Sequence, residues 1–423
     1  MNKRRLVLFV CRAASAESRR SAEALAGLAE VDVVTADVTG VEEVIGVAVK
    51  LRDKHGFVNQ IVTAQETLLE AVALANEALG LPGLSVAAVR RTLDKSQLKA
   101  TLQQAGLNTP RYAVVTTLND VRQFVSSSTV SSTDELAHQI RFPIVLKSLS
   151  GSGALATFLV NSDDALQELF HQSPGPFLAE QHITGQELCI DTITIDNEPQ
   201  FHSVCCYQPS ILAAVENPET QWSCVMPRDL QPYTNFINDG LAAIRALRVG
   251  NAITHMEGFV DANGRVWFTD ATLRPAGARI APMLAHAYDI DPYRAWARVV
   301  VDGCFDGPWE RKYAVGTIFL RGTGAGVVQH VDGIERVTQE FKELLVDVRW
   351  PRIGVGKSLT YTGEGFVTVR HEQTEVVQDA LRRTGELIKI SYSGSGSQLP
   401  VAAWEHRLQN FRELNRPAWD QVN

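Results

Sequence analysis

The strongest local constraint on this chain is an Asn-Gly pair, Asn263-Gly264, that lies between two segments favouring β-strands. ITHMEGFV precedes the pair and RVWFTDA follows it, and both are rich in the β-branched and aromatic residues that are enriched in strands. Asn-Gly is the preferred sequence of a two-residue type I′ hairpin turn. In a hairpin closed by this turn, Glu257 lies directly opposite Asp270, with the two Cβ atoms about 4.5–5.5 Å apart.

Two carboxylates at this distance repel each other unless something offsets their charge. A shared proton, a basic side chain or a divalent cation could do so, and Mg²⁺ takes carboxylate oxygens together with substrate phosphates. The alternative is that both acids point into water, as Asp and Glu commonly do. Phe259 and Phe268 would share the face of the acids, which favours a buried face and therefore a site.

Length and composition limit the classes of protein to which the chain can belong. Its 423 residues suggest two or three domains. The net charge is −8, and no cluster of Lys and Arg is long enough to follow a phosphate backbone, which argues against nucleic acid as a partner. The six cysteines show no metal-type spacing and predict reduced thiols in a cytoplasmic protein.

Hydrophobic patterns predict an α/β fold that begins with a parallel sheet. The apolar run at 6–11 is too short for a signal peptide and predicts a buried strand, and no stretch approaches the ~18 apolar residues of a membrane span. Strand-like and helical segments alternate over the first 90 residues, as in βαβ units. A helix over 92–106 would have Thr92 as its N-cap, and the last 25 residues look peripheral.

Several polar residues at the ends of predicted strands are candidates for a phosphate site. Lys147 ends an apolar strand and a loop of small residues follows it, where backbone N–H groups could approach phosphate oxygens. A flexible hairpin tip is an equally good interpretation of this loop, which contains Ser150, Gly151, Ser152 and Gly153. Arg274 follows Asp270 by four residues and could hold a carboxylate or a phosphate with two hydrogen bonds.

The order of these features resembles the ATP-grasp superfamily, in particular its carboxylate–amine ligases. The resemblance covers roughly residues 92–305 and consists of the D-K helix, the strand ending in lysine, the glycine-rich loop, E-x-x-x-G-x-E, H-x-E and D-x-T-x-R. It implies an N-terminal α/β domain at 1–91 and a two-lobed core at 92–305, with a nucleotide-covering lobe at about 110–185. A β-rich portion at 306–423 would complete the substrate site.

The resemblance implies a role for each matching residue. Lys95 and Lys147 would reach the nucleotide phosphates, and 150–153 would be the mobile loop over the γ-phosphate. Glu180 would lie on the adenine side, the backbone of Gln181, His182 and Ile183 would form the hinge, and Glu187 would bind ribose. Glu257 and Asp270 would hold Mg²⁺, and Arg274 would bind the substrate carboxylate and the acyl-phosphate.

The chain departs from the family pattern at two of these positions. The family sequence is usually E-x-N-P-R, whereas this chain reads DATLRP. Asp270 is therefore one methylene shorter than the usual Glu, and Thr272 replaces Asn with a hydroxyl that coordinates Mg²⁺ only weakly. The resemblance therefore predicts that a metal binds here, but it does not define the geometry of the metal ligands.

The activity implied by the resemblance is ligation of a carboxylate to an amine. ATP with Mg²⁺, or Mn²⁺ as an alternative, would form an acyl-phosphate and release ADP and phosphate. The layout is most similar to bacterial L-amino acid ligases, which make dipeptides, often for antibiotic biosynthesis. The partners would be small molecules, and a homodimer is left open. Two alternatives remain, a ligase with a non-amino-acid acceptor and a nucleotide-binding protein without turnover.

Overall fold

The computed structural model describes residues 4–13, 15–126, 141–149, 151, 154–395 and 399–414. The N-terminal part is a parallel sheet of three strands in the order β2-β1-β3. Its elements are β1 (Arg5–Cys11), α1 (Ala16–Ala26), β2 (Val31–Asp37), α2 (Val41–His55), β3 (Gln60–Val62), a short 3-10 helix (Glu66–Leu68) and α3 (Leu69–Leu79). Residues 6–11 of β1 are all buried, so the apolar run near the N-terminus is a core strand, as predicted.

Two consecutive helices connect this sheet to the next part of the chain. They are α4 (Val86–Leu93) and α5 (Lys95–Gln104). The carboxylate of Asp94 accepts hydrogen bonds from the N–H groups of Ser96 and Gln97 and caps α5. The prediction that Thr92 is the N-cap was wrong, because the helical segment is interrupted at Asp94 and Thr92 belongs to the last turn of α4. The cap makes Lys95 the first residue of α5.

A four-stranded antiparallel sheet in the order β4-β7-β5-β6 forms a small lobe. Its elements are β4 (Tyr112–Val115), α6 (Leu118–Ser126), β5 (Ile144–Lys147), β6 (Thr157–Val160), α7 (Asp163–Gln172) and β7 (Phe177–Gln181). Lys147 is the last residue of β5, as predicted from the apolar run before it.

The helix α14 (Leu399–Leu414) completes the core of this lobe from far along the chain. Phe411 is fully buried, and its ring stacks on Phe177 with the centroids 4.1 Å apart. Leu408 is buried in the same cluster. The prediction that the last 25 residues are peripheral was therefore wrong for 399–414, and residues 415–423 lie outside the described part of the chain.

The largest element is an eight-stranded antiparallel sheet in the order β12-β11-β8-β9-β10-β13-β16-β15, accompanied by a two-stranded sheet of β14 and β17. The strands are β8 (Gly185–Ile195), β9 (Glu198–Gln208), β10 (Trp222–Met226), β11 (Ala252–Asp261), β12 (Val266–Thr272), β13 (Ala314–Leu320), β14 (Ala325–Asp332), β15 (Leu345–Arg349), β16 (Gly365–His371) and β17 (Lys389–Gly394). Strands from both sides of residue 305 share this sheet, and the boundaries proposed for the domains stay predictions.

Helices connect and cover the strands of the large sheet. They are α8 (Ile211–Glu216), a 3-10 helix (Gln231–Tyr233), α9 (Thr234–Leu247), α10 (Ile280–Tyr288), α11 (Pro292–Asp302), α12 (Ile334–Glu340) and α13 (Thr374–Leu387). Among the described residues, no helix is long and apolar enough to span a bilayer.

The hairpin of β11 and β12 pairs Glu257 with Asp270, as predicted, but its turn differs from the predicted one. Of the turn residues only Gly264 has a positive φ, 76°, whereas a type I′ turn needs a positive φ at both central residues. The N–H of Asp261 donates to the carbonyl of Arg265, which leaves three residues in the loop. The prediction of a two-residue type I′ turn was therefore wrong.

A β-bulge compensates for the longer loop. Near the turn Val260 faces Val266 and Phe259 faces Trp267, and the register shifts by one residue between Glu257 and Gly258. Because one extra residue reverses the side on which later side chains point, Phe268 is buried in the core, whereas Phe259 lines a cavity with Glu257. The expectation that Phe259 and Phe268 share a face was wrong.

Candidate active site

A cavity of about 490 Å³ brings together every described residue that the sequence analysis selected for a site. A volume of this size is typical of small-molecule sites. The selected residues that line it are Lys95, Lys147, Gly151, Glu180, Gln181, His182, Ile183, Glu187, Glu257, Asp270, Thr272 and Arg274. Ser150, Ser152 and Gly153 of the predicted mobile loop lie outside the described residues.

Asp270 of β12 contacts two lysines that come from different parts of the chain. The amino group of Lys95 is 2.5 Å from one carboxylate oxygen, and that of Lys147 is 3.1 Å from the other. Burial raises the pKa of the Asp270 carboxyl, but Lys147 and Lys95 lower it by more, so the net pKa is far below the usual range. Asp270 is therefore an anion at any physiological pH, and both of its oxygens face cations.

Lys99 does not line the cavity, but it contacts Glu180, which does, and the sequence analysis missed it. It lies one turn after Lys95 in α5, is fully buried, and places its amino group 3.0 Å from Glu180 Oε1. The same group donates to the backbone carbonyl of Thr269 at 3.3 Å. Lys147 is 3.1 Å from the same oxygen of Glu180, so this carboxylate lies between two ammonium groups. The spacing of four residues from Lys95, which places both lysines on one helix face, was the available signal.

Lys99 and Lys147 share Glu180 but differ in the direction of their pKa shifts. Burial lowers the pKa of Lys99 to about 8, and the attraction of Glu180 offsets only part of this effect. Burial also disfavours the charged form of Lys147, but Asp270 and Glu180 together raise the net pKa of Lys147 above its ordinary value. The two carboxylates therefore favour the charged form of Lys147 at the end of β5.

The other acid of the hairpin, Glu257, belongs to a polar network on the floor of the cavity. Its Oε1 accepts a hydrogen bond from the hydroxyl of Tyr207 at 3.2 Å, and His255 Nε2 lies 3.3 Å from the same oxygen. The other ring nitrogen of His255 is 3.0 Å from Asp191 Oδ1. The neighbouring side chains thus fix the orientation of one Glu257 oxygen.

The connection from β7 to β8 forms a wall of the cavity. Gln181, His182 and Ile183 belong to this wall, and burial lowers the pKa of the His182 imidazole. Glu187, near the start of β8, accepts a hydrogen bond from the N–H of Ile211 at 2.6 Å. Burial raises the pKa of Glu187 well above its usual value, and the nearby Glu257 raises it further.

Arg274 pairs with a glutamate from the N-terminal part that the sequence analysis also missed. One guanidinium nitrogen of Arg274 is 3.0 Å from Glu66 Oε2, and another donates to the carbonyl of Pro275. Glu66 follows β3 in the chain and lines the same cavity. The carboxyl ends of parallel strands commonly border ligand sites, which is the signal that could have drawn attention to Glu66.

The side chains around Asp270 fit a hard divalent cation. Glu257 and Asp270 are cross-strand neighbours, and carboxylate oxygens are preferred ligands of Mg²⁺. Thr272 lies two residues after Asp270 on β12 and lines the same cavity. Its hydroxyl oxygen is buried and has no hydrogen-bond partner within the described residues, so its lone pairs are available to a ligand.

Solved structures with the same fold identify the architecture as ATP-grasp. The chain is similar to the crystal structure of an L-amino acid ligase from Bacillus licheniformis, with a TM-score of 0.70 and 20% identity over 93% of this chain and 100% of that one. It is also similar to N5-carboxyaminoimidazole ribonucleotide synthetase from Thermotoga maritima, with a TM-score of 0.64 and 14% identity over 92% and 100% of the two chains. The α/β ATP-grasp fold predicted from the motif order is confirmed.

Sequence comparison finds similar proteins that are ligases. An L-arginine-specific L-amino acid ligase of Bacillus subtilis is 22% identical over 257 residues, 59% of this chain and 59% of the relative. An alanine–anticapsin ligase of Bacillus subtilis strain 168 is 22% identical over 277 residues, 59% of this chain and 55% of the relative. The matches thus span little more than half the length of these relatives. No protein-family model matches the chain. The predicted resemblance to carboxylate–amine ligases, and among them to L-amino acid ligases, is confirmed.

Proposed function

We propose that this chain is an ATP-dependent ligase that joins the carboxylate of one amino acid to the amine of another through an acyl-phosphate, releasing ADP and phosphate. The observation that carries this proposal is the convergence of Lys95 and Lys147 on Asp270 in one cavity. Such a cluster supplies both the cations for a triphosphate and the acid for its metal. The ligase relatives support the same class of reaction.

The lysines would exchange one anionic partner for another when nucleotide binds. Lys95 and Lys147 both form ion pairs with Asp270. A triphosphate entering the cavity offers oxygens to both ammonium groups, and Lys147 keeps Glu180 as a second partner. Charged groups that are already in place stabilise a transition state at little reorganisation cost, so these lysines would act mainly by position.

The acidic hairpin would hold the metal. Glu257 and Asp270, with Thr272 beside them, would bind Mg²⁺, which when bound neutralises charge on the phosphates. Tyr207 and His255 would keep one Glu257 oxygen in place through their contacts. Both oxygens of Asp270 face the lysines. The ammonium groups of Lys95 and Lys147 would therefore lie between the Asp270 carboxylate and the phosphates.

Arg274 would orient the carboxylate that is activated. It lies four residues after Asp270, lines the same cavity and is held by Glu66. A guanidinium binds a carboxylate or an acyl-phosphate with two parallel hydrogen bonds. The substrate carboxylate oxygen would attack the γ-phosphorus, the bond from that phosphorus to the bridging oxygen would break, and ADP would leave. An amine would then attack the carbonyl carbon, displace phosphate and lose a proton to give the amide.

The second candidate function differs from the first in the molecule that accepts the activated carboxylate. Several similar structures are carboxyaminoimidazole ribonucleotide synthetases, which favours a non-amino-acid acceptor as the second candidate. Both candidates share the activation of a carboxylate by ATP. They differ in the molecule that stimulates nucleotide consumption.

Nucleotide products after incubation with amino-acid pairs test the proposal. We expect ADP and phosphate in equal amounts with at least one pair, and a hydroxamate when hydroxylamine replaces the amine. Stoichiometric AMP would contradict the mechanism, because the proposal transfers the γ-phosphoryl group and therefore requires ADP as the nucleotide product. Nucleotide consumption that responds to aminoimidazole ribonucleotide and bicarbonate but to no amino-acid pair would favour the second candidate. Binding of ATP without consumption under all these conditions would contradict ligase activity.

A further inference from the structure

A second group of side chains with metal-binding chemistry lies on one face of the large sheet. Cys189 and Asp191 are two residues apart on β8 and therefore point to the same side of the sheet. His255 on β11 is the direct cross-strand partner of Asp191. The Cys189 thiol is 3.8 Å from Asp191 Oδ2, and His255 Nδ1 is 3.0 Å from Asp191 Oδ1. One donor atom from each residue lies within 4.8 Å of the other two.

This cluster is buried, but one of its residues borders the cavity. Cys189 is fully buried and Asp191 is 3% exposed, while His255 borders the active-site cavity. All three residues are in central strands of the sheet, so the backbone holds the donor atoms in their relative positions. A small ion could reach the cluster through the cavity, and water from the cavity could complete its coordination.

The donor set differs in kind from that of the acidic hairpin. Glu257, Asp270 and Thr272 offer only oxygen atoms, which suit Mg²⁺. The cluster on β8 and β11 offers a thiolate, an imidazole and a carboxylate, which are the ligands that Zn²⁺ takes in protein sites with one open position. Thiolate and imidazole also bind Co²⁺ in preference to Mg²⁺.

We propose that Cys189, Asp191 and His255 form a binding site for Zn²⁺ or a cation of similar character, separate from the site formed by Glu257 and Asp270. Binding replaces the thiol proton of Cys189 and any proton on His255 Nδ1, and these protons pass to solvent. Cys205 lies opposite Cys189 on β9, so a second sulfur borders the site. The proposal does not depend on the ligase activity proposed above.

Titration of the whole chelator-treated chain with Co²⁺ tests this site without nucleotide or amino acid. We expect a thiolate-to-cobalt charge-transfer band in the near ultraviolet, with an intensity that corresponds to one thiolate-bound Co²⁺ per chain. An equimolar amount of Zn²⁺ should remove the band, whereas a large excess of Mg²⁺ should leave it. The absence of a charge-transfer band at about 1 mM Co²⁺ would overturn the proposal, as would loss of the band on adding Mg²⁺.

Matched variants locate the sulfur ligand. Cys189→Ser should lose the charge-transfer band, and Cys304→Ser, which changes an exposed cysteine elsewhere, should keep it. His255→Gln should weaken Co²⁺ binding by at least about 10-fold, which keeps the test usable if Cys189→Ser folds poorly by circular dichroism. Asp270→Asn should retain the band. A band that survives in Cys189→Ser or full affinity in His255→Gln would contradict the assignment.

Discussion

Replacing Lys99 with methionine should change how the stability of this protein depends on pH. Lys99 is fully buried with its amino group 3.0 Å from Glu180, and burial lowers its pKa from 10.5 to about 8. Methionine has a similar length and no charge. The variant therefore removes the titrating group from the core with little change in volume.

The size of the change in unfolding free energy follows from the pKa values of Lys99 in the folded and unfolded states. The folded value, about 8, lies about 2.5 pH units below the value of 10.5 in the unfolded chain. Below pH 8 both states carry the proton, and the folded state bears the whole cost of a buried ammonium. Between pH 8 and 10.5 only the unfolded state keeps the proton, so the unfolding free energy rises with pH. One pH unit corresponds to about 1.4 kcal/mol, which gives a total of about 3 kcal/mol.

Urea unfolding of both proteins at several pH values measures this effect. We expect the unfolding free energy of the wild type to rise relative to that of Lys99→Met by about 3 kcal/mol between pH 7.5 and 10.5. Lys50→Met, which changes an exposed lysine of α2, should run parallel to the wild type. Curves for Lys99→Met and the wild type that stay parallel within about 1 kcal/mol would show that the buried lysine does not release its proton in this range.

Three further changes test other parts of the structure. If the proposed ligase activity is correct, Asp270→Asn should lower turnover by at least about 100-fold in a phosphate-release assay, because the lysines and the proposed metal would lose their shared anion. Asp53→Asn, on the exposed side of α2, should have no effect. Phe411→Ala should cost about 3–5 kcal/mol in urea unfolding, and a cost below about 1 kcal/mol would mean that α14 is loosely attached. Gly264→Ala should cost about 1–2 kcal/mol because of its positive φ, and Asn263→Ala should cost clearly less; equal costs would indicate a type I′ turn.

The arrangement of the cavity was predictable because the motifs are tied to elements of regular structure. Lys147 ends an apolar strand, and Glu257 and Asp270 lie in strands joined by a short turn, so their separations in space follow from strand geometry. The fold then brings these elements to one cavity, as the resemblance to ATP-grasp enzymes implied. The roles assigned to the individual residues stay predictions.

The pairing of Glu257 with Asp270 was correct although the predicted turn was not. A three-residue loop shifts the pairing by one position, and the bulge after Glu257 shifts it back. Neither irregularity has a strong signal in the sequence, because Asn-Gly is also compatible with a longer turn that places only glycine at positive φ. Phe268 lies between the turn and the bulge, so the prediction placed its side chain on the wrong face of the hairpin.

The residues that the sequence analysis missed depend on contacts between distant segments. The ion pair of Lys99 depends on β7, which brings Glu180 to within 3.0 Å of its amino group. Glu66 comes from the N-terminal part and meets Arg274 more than 200 residues later in the chain. A single sequence gives no measure of such proximity, since loops of any length can intervene at small cost.

The position of α14 has a consequence for how the protein forms during synthesis. The strands of the small lobe lie within residues 112–181. The aromatic ring that stacks on Phe177 belongs to Phe411, far later in the chain. A ribosome adding about 5–20 residues per second must translate more than 200 further residues before this core can close. Until then Phe177 lacks the ring that stacks on it, so the nascent chain carries a small lobe whose core stays incomplete until α14 has been made.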